Sequence, residues 1–494
     1  MKKTVLLAFV LLFLSLASLQ DLQIAHASPY INIDVGTAYT MITNGSFPHL
    51  VVLDVRRQDE YDSGHIYGAV WIPHTELEER VGELAGHEDH ETIVYCLSGG
   101  RSVTASEILD SYNFTKVYNM LGGFQAWQSA GYPIWIATVH NVNTTLNYDT
   151  IQAAIDAPET SDEHTIRVDG GTYREHVTIK KSIYLIGEDK RITVIDGNGT
   201  GSVIDITSHH VYVTGFTLRN GTHGFFIETS SYNIISGNIV MSNQHGIDLF
   251  STCPCAPALR NTIRNNFITN NTIGIHLEIS ADNAIFHNNF INNTQQVYIQ
   301  TSGYSNVWDD DYPSGGNHWS EYSDLDLYSD PYQNETGNDG IGDTPYDIDV
   351  NNHDNYPLMG MFSVFNAASE HYVQAICNST ISDFQFTGTA INFNVSGENG
   401  TTGFCRICIP TALMNDNYRV FVNGTEVPHT RVWATGAHSY LYFIFNHSLA
   451  RAQEVEIIPE FPTFTLMLLV LIMITVVIAM RGRLKQFTSF EITL

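Results

Sequence analysis

Cys96-Leu97-Ser98-Gly99-Gly100-Arg101-Ser102 is the stretch of this 494-residue chain in which residue type and spacing most directly suggest chemistry. A cysteine attacks as the thiolate, so the question is what would favour that form. Gly99 and Gly100 let consecutive backbone N–H groups turn toward one point, and Arg101 adds a permanent cation able to hold an anionic substrate. Cys96 is the candidate nucleophile, with Leu97, Ser98, Gly99, Gly100 and Arg101 as the candidate substrate cradle. A structural cysteine closing a core strand would have no use for the glycines or the arginine.

The flanking residues supply the elements that would aim this loop. Val51-Val52-Leu53-Asp54-Val55-Arg56 reads as a short apolar strand with a polar end, and Thr92-Ile93-Val94-Tyr95 as a second one delivering Cys96. Val103 to Tyr112 has a helical pattern. The thiol is therefore expected between a strand end and a helix N-terminus, whose positive potential also favours thiolate.

With those pieces in place, residues 31–137 resemble a single-domain rhodanese of α/β fold. The resemblance rests on Leu53-Asp54-Val55-Arg56, Glu60-Tyr61, Gly64-His65-Ile66-Tyr67-Gly68-Ala69, Ile72-Pro73, the Cys96 to Arg101 loop and Leu121-Gly122-Gly123-Phe124-Gln125-Ala126-Trp127, in that order. It implies transfer of a sulfane sulfur from a donor to a thiol acceptor through a persulfide on Cys96, with no cofactor required. Asp54 and Arg56 are implied to support the site structurally. The loop is Cys-x4-Arg, where related phosphatases use Cys-x5-Arg and so make room for phosphate. Leu97 occupies a position where many rhodaneses carry arginine, which points to a donor less charged than thiosulfate. An inactive module that only binds is the alternative.

Residues 140–305 repeat. His223-Gly224-Phe225-Phe226-Ile227 aligns with segments starting at His245, Ile273 and Gln295, at steps of 22, 28 and 22 residues. An insertion around Cys253-Pro254-Cys255 explains the longer step. Such a period with Asn/Gly turns predicts stacked coils sharing a core, with Ile247, Leu249, Ile275 and Leu277 inward. Gly221, Asn243, Asn271 and Asn293 line up as a candidate asparagine ladder. The opening segments, among them Ile151-Gln152-Ala153-Ala154-Ile155 and Val168-Asp169-Gly170-Gly171-Thr172-Tyr173, resemble pectin-esterase-like and NosD-like right-handed parallel β-helices. Asp248, His276 and Glu278 are expected to face outward, either as a polysaccharide-binding or cleaving face or as ordinary solenoid polarity. Cys253 and Cys255 read equally as a redox or metal pair or as one end of a disulfide to another cysteine.

Residues 306–360 turn acidic. Asp324, Asp326, Asp339 and Asp343 amid glycine turns suit a Ca²⁺ site, or else a solvated cap closing the solenoid. In residues 363–458, alternating runs such as Tyr418-Arg419-Val420-Phe421-Val422 predict a β-sandwich stalk. It holds Cys377, Cys405 and Cys408, enough for one disulfide, while Cys405-x-x-Cys408 also reads as a zinc or redox pair.

The ends set the location. Lys2-Lys3, an apolar run and Ala25-His26-Ala27 form a signal peptide over residues 1–27. Thr463 to Met480 is an uncharged stretch of 18 residues, about 27 Å as a helix and so close to the hydrocarbon thickness. Arg481, Arg483 and Lys485 in a cytoplasmic tail (481–494) would leave the bulk of the chain outside. Pro459-Glu460-Phe461-Pro462 before this single C-terminal transmembrane helix resembles the tripartite tails of archaeal surface proteins. Thirteen Asn-x-Ser/Thr sequons fit an exterior glycoprotein. Asp+Glu exceed Lys+Arg by 52 to 23, so the net charge of −29 argues against nucleic-acid binding.

Overall fold

The computed structural model describes residues 30–460 except 137, 138, 149, 256, 302, 369, 415, 416 and 448–451, and leaves the Asp62 side chain undescribed. The predicted signal peptide, membrane span and basic tail lie outside these residues. Among the described residues no helix is long and apolar enough to cross a membrane. Two units divide the chain, the first ending at Trp135 and the second beginning at Ile136.

The first unit is built on β1 (Ile31–Ile33), β2 (Val51–Asp54), β3 (Val70–Trp71), β4 (Thr92–Tyr95) and β5 (Val117–Met120). They form one parallel sheet in the order β1-β5-β4-β2-β3. β2 and β4 are buried along their whole length, as strands covered on both faces must be, and this is why they read as unbroken apolar runs. α1 (Val35–Thr43), α2 (Gln58–Asp62), α3 (Leu77–Arg80), α4 (Gly100–Ser111) and α5 (Gly123–Ser129) complete the unit. One face of the sheet packs Val52, Ile93 and Tyr95 with Met41, Phe124 and Trp127 from α1 and α5. The other packs Leu53, Val94 and Cys96 with Ala105 and Leu109 from α4.

In the second unit each coil contributes one short strand to each of three parallel sheets. The strands His223–Glu228, His245–Phe250, Ile273–Glu278 and Gln295–Ile299 pair in the register of the 22-, 28- and 22-residue repeat, with His223 opposite His245, His245 opposite Ile273 and Ile273 opposite Gln295. Ile247, Leu249, Ile275 and Leu277 are buried in the shared core. The helix Ile151–Asp156 and an antiparallel hairpin precede the coils. Parallel pairing continues past residue 305 to His318–Trp319, which pairs with Asn289–Ile291.

Asparagine amides, as much as apolar side chains, hold the coils in step. The anticipated ladder is present: Asn243 Nδ2 donates to Asn271 Oδ1 at 3.1 Å, and Asn271 Nδ2 to Asn293 Oδ1 at 3.0 Å. Two further ladders run beside it, Asn233-Asn261-Asn283-Asn306 and Asn238-Asn266-Asn288-Asn317. Their last members are closed off by the acidic segment. Asn352 Oδ1 accepts from Asn306 N–H at 2.9 Å, and Asp354 Oδ2 accepts from Asn317 N–H at 2.7 Å. Trp319 stacks on Phe290 at 4.3 Å, sealing the apolar interior.

Residues from Met361 onward form two five-stranded antiparallel sheets facing each other across Val373, Ile407, Leu441, Phe393, Val420 and Ile457. Cys377 and Cys405 stand opposite each other on neighbouring strands and are disulfide-bonded, while Cys408 is a free, buried thiol. Cys405 is thus committed to Cys377, and the Cys405-x-x-Cys408 reading as a zinc or redox pair is corrected. Cys253 and Cys255 bond to each other, which excludes a disulfide from either to another cysteine.

Asn266 is fully buried: its Nδ2 serves Ile235 O and Asn288 Oδ1, and its Oδ1 receives Asn238 N–H. Asn266→Leu keeps the branched outline and strands these three partners, at roughly 1–2 kcal/mol each. The expected loss is about 4 kcal/mol of second-unit stability, read from the urea unfolding midpoint.

Candidate active site

β4 ends at Tyr95 and α4 begins at Gly100, so the four intervening residues must reverse the chain in a very short arc. Gly99 makes this possible by adopting φ +108°, a conformation that side-chain-bearing residues rarely hold. The reversal turns Gly99 N–H onto Cys96 Sγ at 3.1 Å, and Ser102 Oγ lies 3.6 Å from the sulfur. Cys96 is a free thiol and 1% exposed. Burial by itself pushes the thiol up. The hydroxyl and amide of Ser102, with the amides of Gly99 and Ser98, outweigh that effect, and the group lies below the ordinary value of 9.0. Leu97 and Ser98 form the rim, with Ser98 exposed and Leu97 half-buried.

The base of the loop is held from below. Ser102 Oγ donates to Asn119 Oδ1 at 2.7 Å, and Asn119 Nδ2 donates to Asn32 Oδ1 at 2.7 Å, so two neighbouring strands fix the hydroxyl beside the sulfur. The N-terminus of α5 closes the other side. Phe124 N–H donates to Cys96 O at 2.7 Å and Gln125 N–H to Leu97 O at 3.0 Å. This contact needs Gly123, where φ is +56° and a Cβ would lie 2.3 Å from Cys96 O.

Arg101 is not the free cation expected from sequence. Its Nη1 and Nη2 make a two-pronged contact with Glu60 at 2.7 and 2.8 Å, and this pairing holds Glu60 below the usual carboxylate range. The cation stays near the sulfur, whose charge acts on it, but half its fork is oriented by α2. Asp54 and Arg56 lie fully buried beneath the site. Arg56 bridges both Asp54 oxygens, donates to Gly64 O at 2.7 Å and stacks over Phe124 with 3.9 Å to the ring centre. They tie β2 to α5 and touch no solvent.

Glu60, Ser102, Asn119 and Gly123 are site residues that sequence reasoning left without a role. Glu60 and Gly123 fall inside the rhodanese-like motifs and Ser102 inside the loop, whereas Asn119 carries no local signal.

The outward face of the solenoid differs from expectation. Asp248 and His276 do point away from the core but are only 3% and 5% exposed. Asp248 Oδ1 meets His276 Nδ1 at 2.9 Å, and its Oδ2 meets His245 Nδ1 at 2.9 Å. An exposed sugar face of Asp248, His276 and Glu278 is therefore corrected: only Glu278, opposite Phe250, keeps partial exposure. Asp324, Asp326, Asp339 and Asp343 mainly staple loops. Asp326 accepts from the amides of Asp339 and Gly340, Asp343 from those of Leu327 and Tyr328, Asp324 from that of Leu325, and Asp339 faces Arg406. Burial raises the Asp326 carboxyl to about 7.

A strand-end thiol in an amide-lined loop, on a five-stranded parallel sheet flanked by helices, is the arrangement of an α/β rhodanese-like module. The rhodanese-like domain family matches residues 35–130, and the family described as periplasmic copper-binding protein (NosD) matches residues 108–324. The two matches overlap within α4 and α5, which belong structurally to the first unit. Over 121 residues the chain is 34% identical to thiosulfate sulfurtransferase 18 of Arabidopsis thaliana, covering 22% of this chain and 85% of that protein. A putative sulfur carrier protein of Bacillus subtilis is 41% identical over 78 residues, 16% of this chain and 41% of that protein. A cell surface glycoprotein of Methanothermus fervidus is 31% identical over 106 residues, 22% of this chain and 18% of that protein. The chain thus spans well under two-thirds of the latter two. Through its first unit the chain belongs to the rhodanese family, and a NosD-like domain follows.

Two outcomes are expected at this site. Alkylation of Cys96 by iodoacetamide rises with pH through an inflection below 9, and Ser102→Ala moves the inflection upward because a stabiliser of the thiolate is lost. Gly123→Ala leaves the first unit folded but displaces the Cys96 carbonyl, seen as at least tenfold slower alkylation at fixed pH.

Proposed function

We propose that the first unit is a sulfurtransferase that carries sulfane sulfur as a persulfide on Cys96. The observation that carries this reading is the free thiol receiving the Gly99 amide at a strand end, with its ionisation favoured by neighbouring donors. In the first half-reaction Sγ attacks the outer sulfur of the donor. A new S–S bond forms, the donor's own S–S bond breaks, and the electron pair leaves on the departing group (sulfite when thiosulfate is the donor). In the second, an acceptor thiolate attacks the terminal sulfur and Cys96 leaves as thiolate. The loop amides stabilise negative charge on both the thiolate and the persulfide. Leu97 brings no charge to the rim and Arg101 is shared with Glu60, so an organic persulfide, carrying at most one charge, suits the site better than dianionic thiosulfate.

The test is mass spectrometry of the protein after exposure to thiosulfate or polysulfide. Wild type is expected to gain one sulfur on Cys96 and to lose it to added thiol, and Cys96→Ser to gain none. Equal sulfur transfer by both proteins would reject the nucleophile. Leu97→Arg is expected to raise kcat/KM for thiosulfate about tenfold, the low end for one hydrogen bond to a charged group, with a smaller change for an organic persulfide.

The chain is further read as an exported protein held at the cell surface by the 463–480 helix after removal of residues 1–27. In support, twelve of the thirteen sequon asparagines are exposed, Asn394 being the half-buried one, and two disulfides suit an oxidising exterior. Labelling of intact cells with a membrane-impermeant amine reagent tests this; labelling only after lysis would overturn it. A surface envelope protein with a silent rhodanese module is the second reading, favoured by the neutralised Arg101. Calcium binding by the acidic segment is part of neither.

A further inference from the structure

On the outside of the solenoid, away from any role in sulfur transfer, three consecutive coils converge on one carboxylate. In register, His223 stands opposite His245, and the row Phe226, Asp248, His276, Tyr298 runs beside them. Asp248 Oδ2 lies 2.9 Å from His245 Nδ1 and 3.4 Å from His223 Nε2. The ligand atoms of His223, His245 and Asp248 all fall within 4.8 Å of one another. Four-coordinate zinc, with bonds of about 2.0–2.2 Å, separates neighbouring ligand atoms by about 3.3 Å, so the two measured edges already bracket that spacing.

The surroundings are those of a supported site. Ser202 Oγ lies 3.1 Å from His223 Nδ1, which directs Nε2 toward the carboxylate. The other Asp248 oxygen is held by His276, whose second ring nitrogen is 3.2 Å from Gln300 Oε1. His276 Nδ1 lies against Oδ1 and so fixes the carboxylate without competing for Oδ2. Phe226 beside His223 (4.9 Å between ring centres) and Tyr298 beside His276 (5.5 Å) shield the group. His223 and His245 keep 21% and 19% of their side chains exposed, which leaves a path from solvent. Asp205, opposite Phe226 in the same row, has a buried Oδ1 with no hydrogen-bond partner among the described residues.

We propose that His223 Nε2, His245 Nδ1 and Asp248 Oδ2 bind one divalent transition-metal ion, Zn²⁺, with His276 as the positioning residue and a fourth coordination position open to water or a ligand. Two imidazoles with one carboxylate suit a borderline cation and not Ca²⁺, which takes an all-oxygen shell. Binding moves the proton of His245 from Nδ1 to Nε2, so no oxidant or second reactant is involved. This inference is independent of the sulfurtransferase reading, and Cys96→Ser serves as the background so that its thiol does not compete for metal.

The full-length Cys96→Ser protein, stripped with chelator and dialysed, is titrated with Zn²⁺ by calorimetry and with Co²⁺ by visible absorption. One Zn²⁺ per chain is expected, and Co²⁺ should give the intense visible bands of a four-coordinate ion. His223→Gln and His245→Gln should each weaken binding more than 100-fold, and His276→Gln by roughly 10- to 100-fold as a second-layer group. His209→Gln, at an exposed position on another turn, should bind as the parent does. Circular dichroism melting without metal checks that each variant folds; should one fail, the remaining histidine variant and the Co²⁺ spectrum decide. A chain that binds no zinc, or whose stoichiometry and affinity survive both His223→Gln and His245→Gln, overturns the proposal.

Discussion

The first unit depends on one close approach between backbones. The carbonyls of Cys96 and Leu97 leave the end of β4 with no strand to receive them and are taken up by the first amides of α5. That arrangement holds the loop in an arc tight enough for Gly99 N–H to reach Sγ. It is also why a side chain at position 123 would push the Cys96 carbonyl out of place. Thiolate stabilisation therefore follows from satisfying two orphan carbonyls, a requirement of folding that a catalytic loop turns to use.

The same accounting governs the solenoid. Stacked turns leave backbone N–H and C=O groups between coils, and buried asparagine amides supply one acceptor and two donors at each level. The ladders end where a different side chain can accept the last amide, which is the role of Asn352 and Asp354. Two sequons arise from this architecture. In Asn270-Asn271-Thr272 and Asn292-Asn293-Thr294 the first asparagine takes a left-handed turn, at φ +54° and +53°, and faces solvent, while the second enters the ladder. Turn chemistry and glycan-acceptor chemistry thus share the same residues.

The two histidine-carboxylate and arginine-carboxylate clusters show how pairing alters a residue's meaning. Arg101 looks like a substrate cation until Glu60 occupies its fork, and Asp248 looks like a surface acid until three histidines cover it. In both cases the partner comes from a distant stretch of chain, at separations of 41 and 28 residues for Glu60–Arg101 and Asp248–His276.

Local pattern alone determined the elements and their order: the apolar runs of β2 and β4, the thiol at a strand end, the coil-to-coil register from His223 to Gln295, one asparagine ladder and the alternating strands of the last module. These are legible because burial on both faces, a fixed repeat and alternation each leave a signature within a few residues. Tertiary structure decided what no window of sequence contains. It paired Cys405 with Cys377, joined Cys253 to Cys255, set Asn119 under Ser102 and gathered His223, His245 and Asp248 around one point. The physical reason is that hydrogen bonds and ion pairs act over a few ångströms, and only folding brings residues from separate strands and coils within that range.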